Sequence, residues 1–275
     1  MIIPYTRIRK THYNNMFKRL RRDFDIDLNS SPYTKFKSII YIELSSILIF
    51  FLQNKPITPN VITLIYALAG VIGGILLSTG KIELVIIASI MFFLKSFLDW
   101  SDGYLAKIKN KTSELGAVLD EWAGFIGYYS FLCGFGILLF NQTEQTIYLI
   151  LTLLIVFLKI CDIKFFIYLT TIDKLKEKKI SKIEIVNKLK NVNKQKNKIN
   201  KIANFFKNFL DDRARTYDFI SLLILIDIFY YDTLIPNFVF FLICTKFCLA
   251  FLWNFYLVFF KDFLSQFKFS KNDRK

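Results

Sequence analysis

The amino-acid sequence predicts an all-α integral membrane protein with six transmembrane helices preceded by an N-terminal interfacial amphipathic helix. Composition is the first reason, because 54% of the 275 residues are hydrophobic and the mean hydropathy is +0.39. Charge distribution is the second reason. The chain has 37 Lys and Arg against 22 Asp and Glu, a net charge of +15, and these charges cluster between long apolar stretches. A disordered chain lacks such hydrophobicity, so that class is excluded. The hydrophobic content also exceeds what a soluble globular domain usually has.

Residues 1–57 are predicted to form a basic cytoplasmic arm followed by the interfacial helix. The run Ile39–Leu52 is apolar but contains one glutamate and two serines, and it is shorter than the roughly 20 residues that a crossing needs. If this run crossed the membrane, the basic arm would lie on the opposite side from the other basic segments, which the positive-inside rule disfavours. We therefore expect it to lie in the membrane interface. The single histidine, His12, falls in the polar arm and is interpreted as incidental.

Six later stretches are long and apolar enough to cross the membrane, forming a domain over residues 58–262. The loop 173–207 is rich in lysine, basic residues also follow the second stretch, and the other connections nearly lack them. The positive-inside rule therefore places both termini, including the tail 263–275, and the basic loops in the cytoplasm. The stretches are residues 58–79, 82–105, 116–140, 146–171, 214–231 and 234–260.

The lysine-rich loop 173–207 is explained by topology or by attraction to anionic lipid headgroups, and no nucleic-acid partner is predicted. It could be a solvated helix or a disordered segment. All cysteines lie inside apolar runs, so neither a disulfide framework nor a zinc site is predicted. The cysteines are Cys133, Cys161, Cys244 and Cys248.

Carboxylates at the cytoplasmic ends of the second and third stretches predict a functional site, because acids are costly in a membrane. Asp99 and Asp102 are three residues apart and project from one helical face. Asp120, at the start of the next stretch, can meet them across a helix interface. Three carboxylates held close together need a cation, and hard oxygen ligands suit magnesium, manganese or calcium.

Small residues beside these acids predict a second ligand. Gly103, Ala106 and Gly116 would let it approach the backbone closely, and Lys107 adds a positive charge. A divalent metal with a phosphate-bearing ligand fits this pattern. The alternative is that the acids and glycines are ordinary residues of helix ends.

The order of these residues resembles the signature of the CDP-alcohol phosphotransferase family, D-x2-D-G-x2-A-R-x8-G-x3-D-x3-D. The likeness extends over residues 36–262, and the segment ITPNVIT at 57–63 resembles the family's TPN segment ahead of its first span. A motif with this many fixed points is a strong signal. Every spacing is matched through Asp120, as Asp99-x2-Asp102-Gly103-x2-Ala106-Lys107-x8-Gly116-x3-Asp120.

The resemblance implies transfer of a substituted phosphate from a CDP-alcohol to an acceptor alcohol, with release of CMP at the cytoplasmic face, in phospholipid synthesis. It implies a divalent metal, Mg²⁺ or Mn²⁺, on Asp99, Asp102 and Asp120. Membrane lipids are expected partners, and a homodimer is left open. The cytidine nucleotide would be framed by Gly103, Ala106, Lys107 and Gly116.

Two positions depart from the signature. Lys107 replaces an arginine, keeping the charge but losing the bidentate fork. Gly124 replaces the last aspartate, which the family uses as the base toward the acceptor. Glu121 lies three residues earlier, about 60° around the helix, and is a candidate substitute base, although it could equally face solvent or lipid headgroups. Arg213 and Arg215 are candidates for an acceptor phosphate, or basic residues expected from topology alone.

Gly124 also favours an alternative function, in which the chain is a catalytically impaired member of the family. It would then bind a nucleotide or lipid in the membrane as a partner protein. Retention of the three aspartates argues for an enzyme. The sequence identifies neither the donor nor the acceptor, and a small-solute transporter is the weakest option, because glycine- or proline-broken helices are not evident.

Overall fold

The computed structural model describes residues 2–24, 32–161, 217–230 and 234–260. These residues form helices joined by short connections, without a strand among them, and the all-α prediction is confirmed. The lysine-rich loop, the C-terminal tail, Arg213 and Arg215 lie outside the described residues. The helices are α1 (Tyr5–Phe24), α2 (Pro32–Leu52), α3 (Pro59–Ser78), α4 (Ile82–Ile108), α5 (Glu114–Thr143), α6 (Ile147–Ile160), α7 (Tyr217–Tyr230) and α8 (Leu234–Phe260).

Three of the described helices are long and apolar enough to cross a membrane: α3 at Pro59–Ser78, α5 at Glu114–Thr143 and the Ile235–Tyr256 part of α8. They support an integral membrane protein. Helix α4 has the length, but Lys95, Asp99 and other charged residues lower its hydropathy. Helices α6 and α7 each have 14 described residues, so the six spans stay a prediction.

The described helices belong to two compact units. Helices α1–α5 and α7 fall in the first unit, and α6 from Leu149 and α8 from Phe238 fall in the second. All the described residues of the predicted site belong to the first unit.

Helix α2 has a buried face of mixed polar and apolar residues and an exposed face that is apolar. It begins at Pro32, earlier than the predicted interfacial run, and packs against α1 and α4. A helix with this arrangement suits a lipid environment better than water. Its buried face carries Ser38, Tyr41, Ile42, Ser45, Ser46 and Ile49, and its exposed face carries Phe36, Ile39, Leu44, Ile47 and Phe51.

Glu43 of α2 anchors α1. Its carboxylate accepts hydrogen bonds from Arg9 Nε at 2.7 and 2.8 Å, from Tyr13 Oη at 2.7 Å and from Tyr5 Oη at 3.1 Å. The three donors recur every fourth residue, so they share one face of α1. The hydrogen bond with Arg9, opposed by burial, lowers the pKa of Glu43 to about 2. Burial, followed by the hydrogen bond to Glu43, raises the pKa of Tyr13 to about 12.

Helix α3 packs along both α4 and α5, and its contact with α5 is backbone against backbone. A Cβ added to Gly70 would lie 2.7 Å from Gly127 Cα, and one added to Gly74 would lie 2.3 Å from the Ser130 carbonyl oxygen. Only glycine permits this approach, which is a common device where membrane helices associate. Helix α4 leaves α3 through a turn at Gly80, whose φ of +69° glycine adopts without strain.

Candidate active site

The first turns of α3 supply the hydroxyl groups of the site. The helix begins with Pro59 directly after its N-cap Thr58, and proline suits this position because its missing N–H is not needed there. The segment 57–63 therefore includes the start of α3, in agreement with the predicted stretch 58–79. Thr63 and Tyr66 follow three residues apart, on one face of α3. Both are buried.

Asp102 of α4 is held by Thr63. The threonine Oγ1 donates a hydrogen bond of 2.6 Å to the carboxylate, and the Gly103 backbone N–H also lies within hydrogen-bond distance of it. Asp102 is only 4% exposed. Hydrogen bonds to a buried carboxylate are strong because they are charge-assisted, so α3 fixes the orientation of this signature residue.

Asp120 of α5 is held by the other hydroxyl group of the same face. Tyr66 Oη lies 2.8 Å from the Asp120 carboxylate and 2.9 Å from its backbone carbonyl oxygen. One helix therefore positions the carboxylates of two others. Neither Thr63 nor Tyr66 was identified from the sequence, where the signal available was their spacing of three residues directly after the TPN segment.

The three predicted metal ligands act electrostatically on one another. Asp99, Asp102 and Asp120 all interact with Tyr66, and Asp102 interacts with both other aspartates. Within the part of the chain that the structure describes, no three His, Cys, Asp or Glu side chains are gathered closely enough to hold a metal ion. The three carboxylates offer the oxygen ligands and negative charge that a hard divalent cation prefers, so their chemistry suits a metal although their present spacing does not form one ligand set.

The small residues of the signature differ in their surroundings. A Cβ added to Gly103 would have no atom within 4 Å, so this side of α4 is open. A Cβ added to Gly116 would lie 3.1 Å from Ser113 Oγ and 3.2 Å from Asn60 Oδ1, which makes Gly116 a close contact between α5 and the start of α3. Ser113 caps α5 by accepting a hydrogen bond from the Gly116 N–H at 3.0 Å. Ala106 is half-buried and Lys107 is exposed.

The position of the missing aspartate is also open. A Cβ added to Gly124 would have no atom within 4 Å, and Gly124 lies one turn after Asp120 on the same side of α5. Glu121 is exposed. The structure thus leaves room for a carboxylate at position 124. The candidate substitute base, Glu121, lies on the exposed surface of α5.

Asp218 fixes the first turn of α7 against α4 and α2. Ser96 Oγ donates to one carboxylate oxygen at 2.6 Å and Tyr41 Oη donates to the other at 2.5 Å. This anchor lies three residues after Arg215, in the segment interpreted as a candidate acceptor-phosphate site. Arg213 and Arg215 themselves lie outside the described residues.

His12 is buried where α1 meets α2 and α4, so it has a packing role, and its interpretation as incidental to catalysis stays a prediction. Its Nδ1 lies 3.1 Å from Ser45 Oγ and 3.2 Å from Ser46 Oγ. The imidazole stacks on Tyr104 with 4.1 Å between ring centroids. Burial, followed by the charge of Lys107, lowers the pKa of His12 to about 4, so the ring is neutral at pH 7. The N-terminal arm therefore packs against the signature helix.

Lys95, like Thr63 and Tyr66, was not identified from the sequence. It lies in α4 and is 1% exposed, and its Nζ is 5.4 Å from the centroid of the Tyr66 ring. The available signal was spacing, since Lys95 precedes Asp99 by four residues and Asp102 by seven. These intervals place all three on one helical face.

Comparison with known proteins links this geometry to one family. Residues 56–190 match the family model described as CDP-alcohol phosphatidyltransferase. The match contains α3, α4 and α5, and with them all three aspartates and both hydroxyl groups that hold two of them. A search of curated proteins found no match to the chain.

Proposed function

The chain carries a domain of the CDP-alcohol phosphatidyltransferase family, a family of membrane transferases, at residues 56–190, and we propose that it is an active transferase of phospholipid synthesis. Its reaction would transfer a substituted phosphate from a CDP-alcohol to an acceptor alcohol. The acceptor oxygen forms a bond to the phosphorus that carries the donor alcohol. The bond from that phosphorus to the bridging oxygen of CMP breaks, and the hydroxyl proton passes to a base.

The observation that carries the proposal is the pair of hydrogen bonds from α3 to two different helices. Thr63 orients Asp102 and Tyr66 orients Asp120. Prepositioned charges contribute most to catalysis when they need no reorganisation during the reaction. Such support is what a site acting on a charged pyrophosphate needs.

A divalent metal, Mg²⁺ or Mn²⁺, would be held by Asp99, Asp102 and Asp120. Bound there, it would offset the charge of the pyrophosphate and of the departing CMP. The chain's own contribution is to orient the carboxylates, through Thr63 and Tyr66.

The cytidine nucleotide would occupy the open side of α4. Gly103 presents backbone without a side chain above it, and Lys107 is exposed nearby with a charge suited to phosphate. Gly116 serves this arrangement indirectly, by letting α5 approach Asn60. Arg213 and Arg215 would bind a phosphate of the acceptor, since Asp218 anchors the following helix to α4.

Glu121 is the proposed base in place of the missing last aspartate. Its exposure favours access to an acceptor that arrives from water or from the headgroup region. Glu121 would accept the hydroxyl proton of the acceptor and then release it directly to solvent. General-base help of this kind is worth roughly 10²–10⁴-fold in rate.

The protein would span the membrane six times, with both termini and the active site on the cytoplasmic side. Basic residues follow α4 and avoid the α5–α6 connection, as the positive-inside rule requires for this orientation. Lys109, just after α4, stabilises the connection between α2 and α3. Its Nζ donates hydrogen bonds to the carbonyl oxygens of Lys55 and Ile57 at 2.6 and 2.7 Å.

Gly124 favours a second candidate function, a catalytically impaired protein that binds a nucleotide or lipid as a partner. The test is to incubate the purified full chain with Mg²⁺ or Mn²⁺ and a panel of CDP-alcohols and acceptor alcohols, and to measure CMP release. We expect release with at least one pair and its loss in Asp102→Asn. Donor binding without release for every pair would favour the partner protein instead.

A further inference from the structure

Lys95 is enclosed by α3, α4 and α5, the three helices of the site. Lys95 lies 13 residues from each end of α4, which spans Ile82–Ile108, and is almost fully buried. Intramembrane lysines are rare because an ammonium group is costly there, and they mark functional positions. Its spacing places it on the face of α4 that carries Asp99 and Asp102.

The Lys95 side chain reaches from α4 to both neighbouring helices. Its ammonium group lies over the ring of Tyr66, whose hydroxyl group contacts Asp120. On α5, a Cβ added to Gly127 would lie 2.4 Å from Lys95 Cε and 3.5 Å from Nζ. The absence of a side chain at position 127 therefore makes room for the lysine, and the aromatic face of Tyr66 adds a favourable cation–π contact.

We propose that Lys95 is the internal counter-ion of the aspartate cluster, and that its ammonium group and a divalent cation share the same negative charge. Three carboxylates in a low-dielectric region repel one another strongly. An ammonium group on the helical face that carries two of them offsets part of that repulsion before any metal binds. It also repels an incoming divalent cation, so it limits the affinity for the metal. Lys95 is thus a positioning residue that keeps the site assembled between turnovers.

This inference rests on the proposed metal site, and the first experiment measures metal binding directly. Mn²⁺ is titrated into purified full-length protein and the free ion is followed by electron paramagnetic resonance. Lys95→Met should bind Mn²⁺ at least tenfold more tightly, because removal of a nearby positive charge favours a divalent cation. Lys81→Met, which removes an exposed charge just before α4, is the matched control and should leave the affinity unchanged. Measurable and equal Mn²⁺ affinities in the two variants would overturn the proposal.

The second experiment needs no metal, so its outcome is independent of the proposed function. With chelator present, Lys95→Met should unfold at a lower temperature than Lys81→Met. Adding Asp99→Asn to Lys95→Met should recover much of the loss, because the double variant removes one charge of each sign. If Lys95→Met cannot be purified, recovery of folded protein in the double variant answers the same question. A double variant no more stable than Lys95→Met would refute the counter-ion role.

Gly127→Ala provides a variant that changes no charge. The added methyl group must displace Lys95 Cε, and moving the ammonium group away from the cluster should again tighten Mn²⁺ binding. An unchanged Mn²⁺ affinity would show that the position of the lysine does not matter. If the natural protein binds no Mn²⁺ while the chelator experiment succeeds, the metal site fails and the counter-ion survives.

Discussion

Glu121→Gln should reduce CMP release about 10²–10⁴-fold, and adding Gly124→Asp should restore much of it. The first change removes the proposed base while keeping the size of the side chain. The second supplies a carboxylate about 6 Å along α5 from Asp120, on the same side of the helix. The space at position 124 is open, so the substitution meets no steric penalty. Donor affinity should stay unchanged, because neither residue is assigned to the nucleotide or the metal.

The size of the effect follows from what a positioned base contributes. A factor of 10²–10⁴ corresponds to about 2.8–5.6 kcal/mol in activation free energy, at about 1.4 kcal/mol per tenfold. Gly124→Asp should change the free energy of unfolding far less, because replacing a glycine inside a helix stabilises the helix by at most about 1 kcal/mol. Restored activity in the double variant would therefore report chemistry rather than folding.

The assay is CMP release at saturating donor and metal, with donor binding measured by calorimetry on the same preparations. Gly124→Asn in the Glu121→Gln background is the control, because it fills the same space without a base and should not restore activity. Glu121→Gln without effect, together with a gain in Gly124→Asp alone, would show that the natural protein lacks a base. Activity insensitive to both changes would mean that no side chain of α5 accepts the proton.

Three further predictions concern the supports of the site. Thr63→Val should lower the free energy of unfolding by about 1.5–3 kcal/mol, which is what a hydrogen bond to a buried charged group contributes. Thr63→Ser keeps the hydroxyl group and should not lower it. Equal thermal stability of the two variants would refute the Asp102 contact. Glu43→Gln should weaken the attachment of α1, seen as faster proteolysis within residues 5–24. The pKa of Glu43 is about 2 in the folded protein and 4.5 ordinarily. Its carboxylate therefore stabilises the attachment of α1 fully above about pH 4.5, and this stabilisation is lost as the pH falls toward 2. Equal resistance of the natural protein to proteolysis at pH 2.5 and pH 6 would contradict this prediction. Asn110→Cys in intact cells should resist an impermeant thiol reagent while Gln142→Cys reacts, and the opposite pattern would invert the topology.

The apolar runs of α3 and α5 and the fixed spacing of the aspartates were predictable, because each depends on residues close together in the sequence. The partners of the aspartates were not. Thr63 and Tyr66 have no special pattern of their own, and they gain a role only when α3 lies between α4 and α5. Lys95 shares a helical face with Asp99 and Asp102, but the sequence does not show that Gly127 of another helix makes room for its side chain.

The N-terminal arm shows a different limit of sequence patterns. Its basic residues predict a solvated cytoplasmic segment, yet Ile8 and His12 are each 1% exposed. These two residues are four apart and form a narrow inward face. The histidine is acceptable there because the serines of α2 offer hydrogen bonds, and such complementarity exists only between two helices.

The glycine contacts between α3 and α5 determine which parts of the site can move. Their backbones touch at Gly70 and Gly74, so neither helix can slide past the other without a clash. The Tyr66–Asp120 hydrogen bond lies at one end of this locked pair and keeps a fixed length. Helix α4 contacts α5 little, but it packs along α3 almost as extensively as α5 does and also contacts α2 and α7. The Thr63–Asp102 hydrogen bond therefore joins two firmly packed helices, and little of the site can move when a ligand enters.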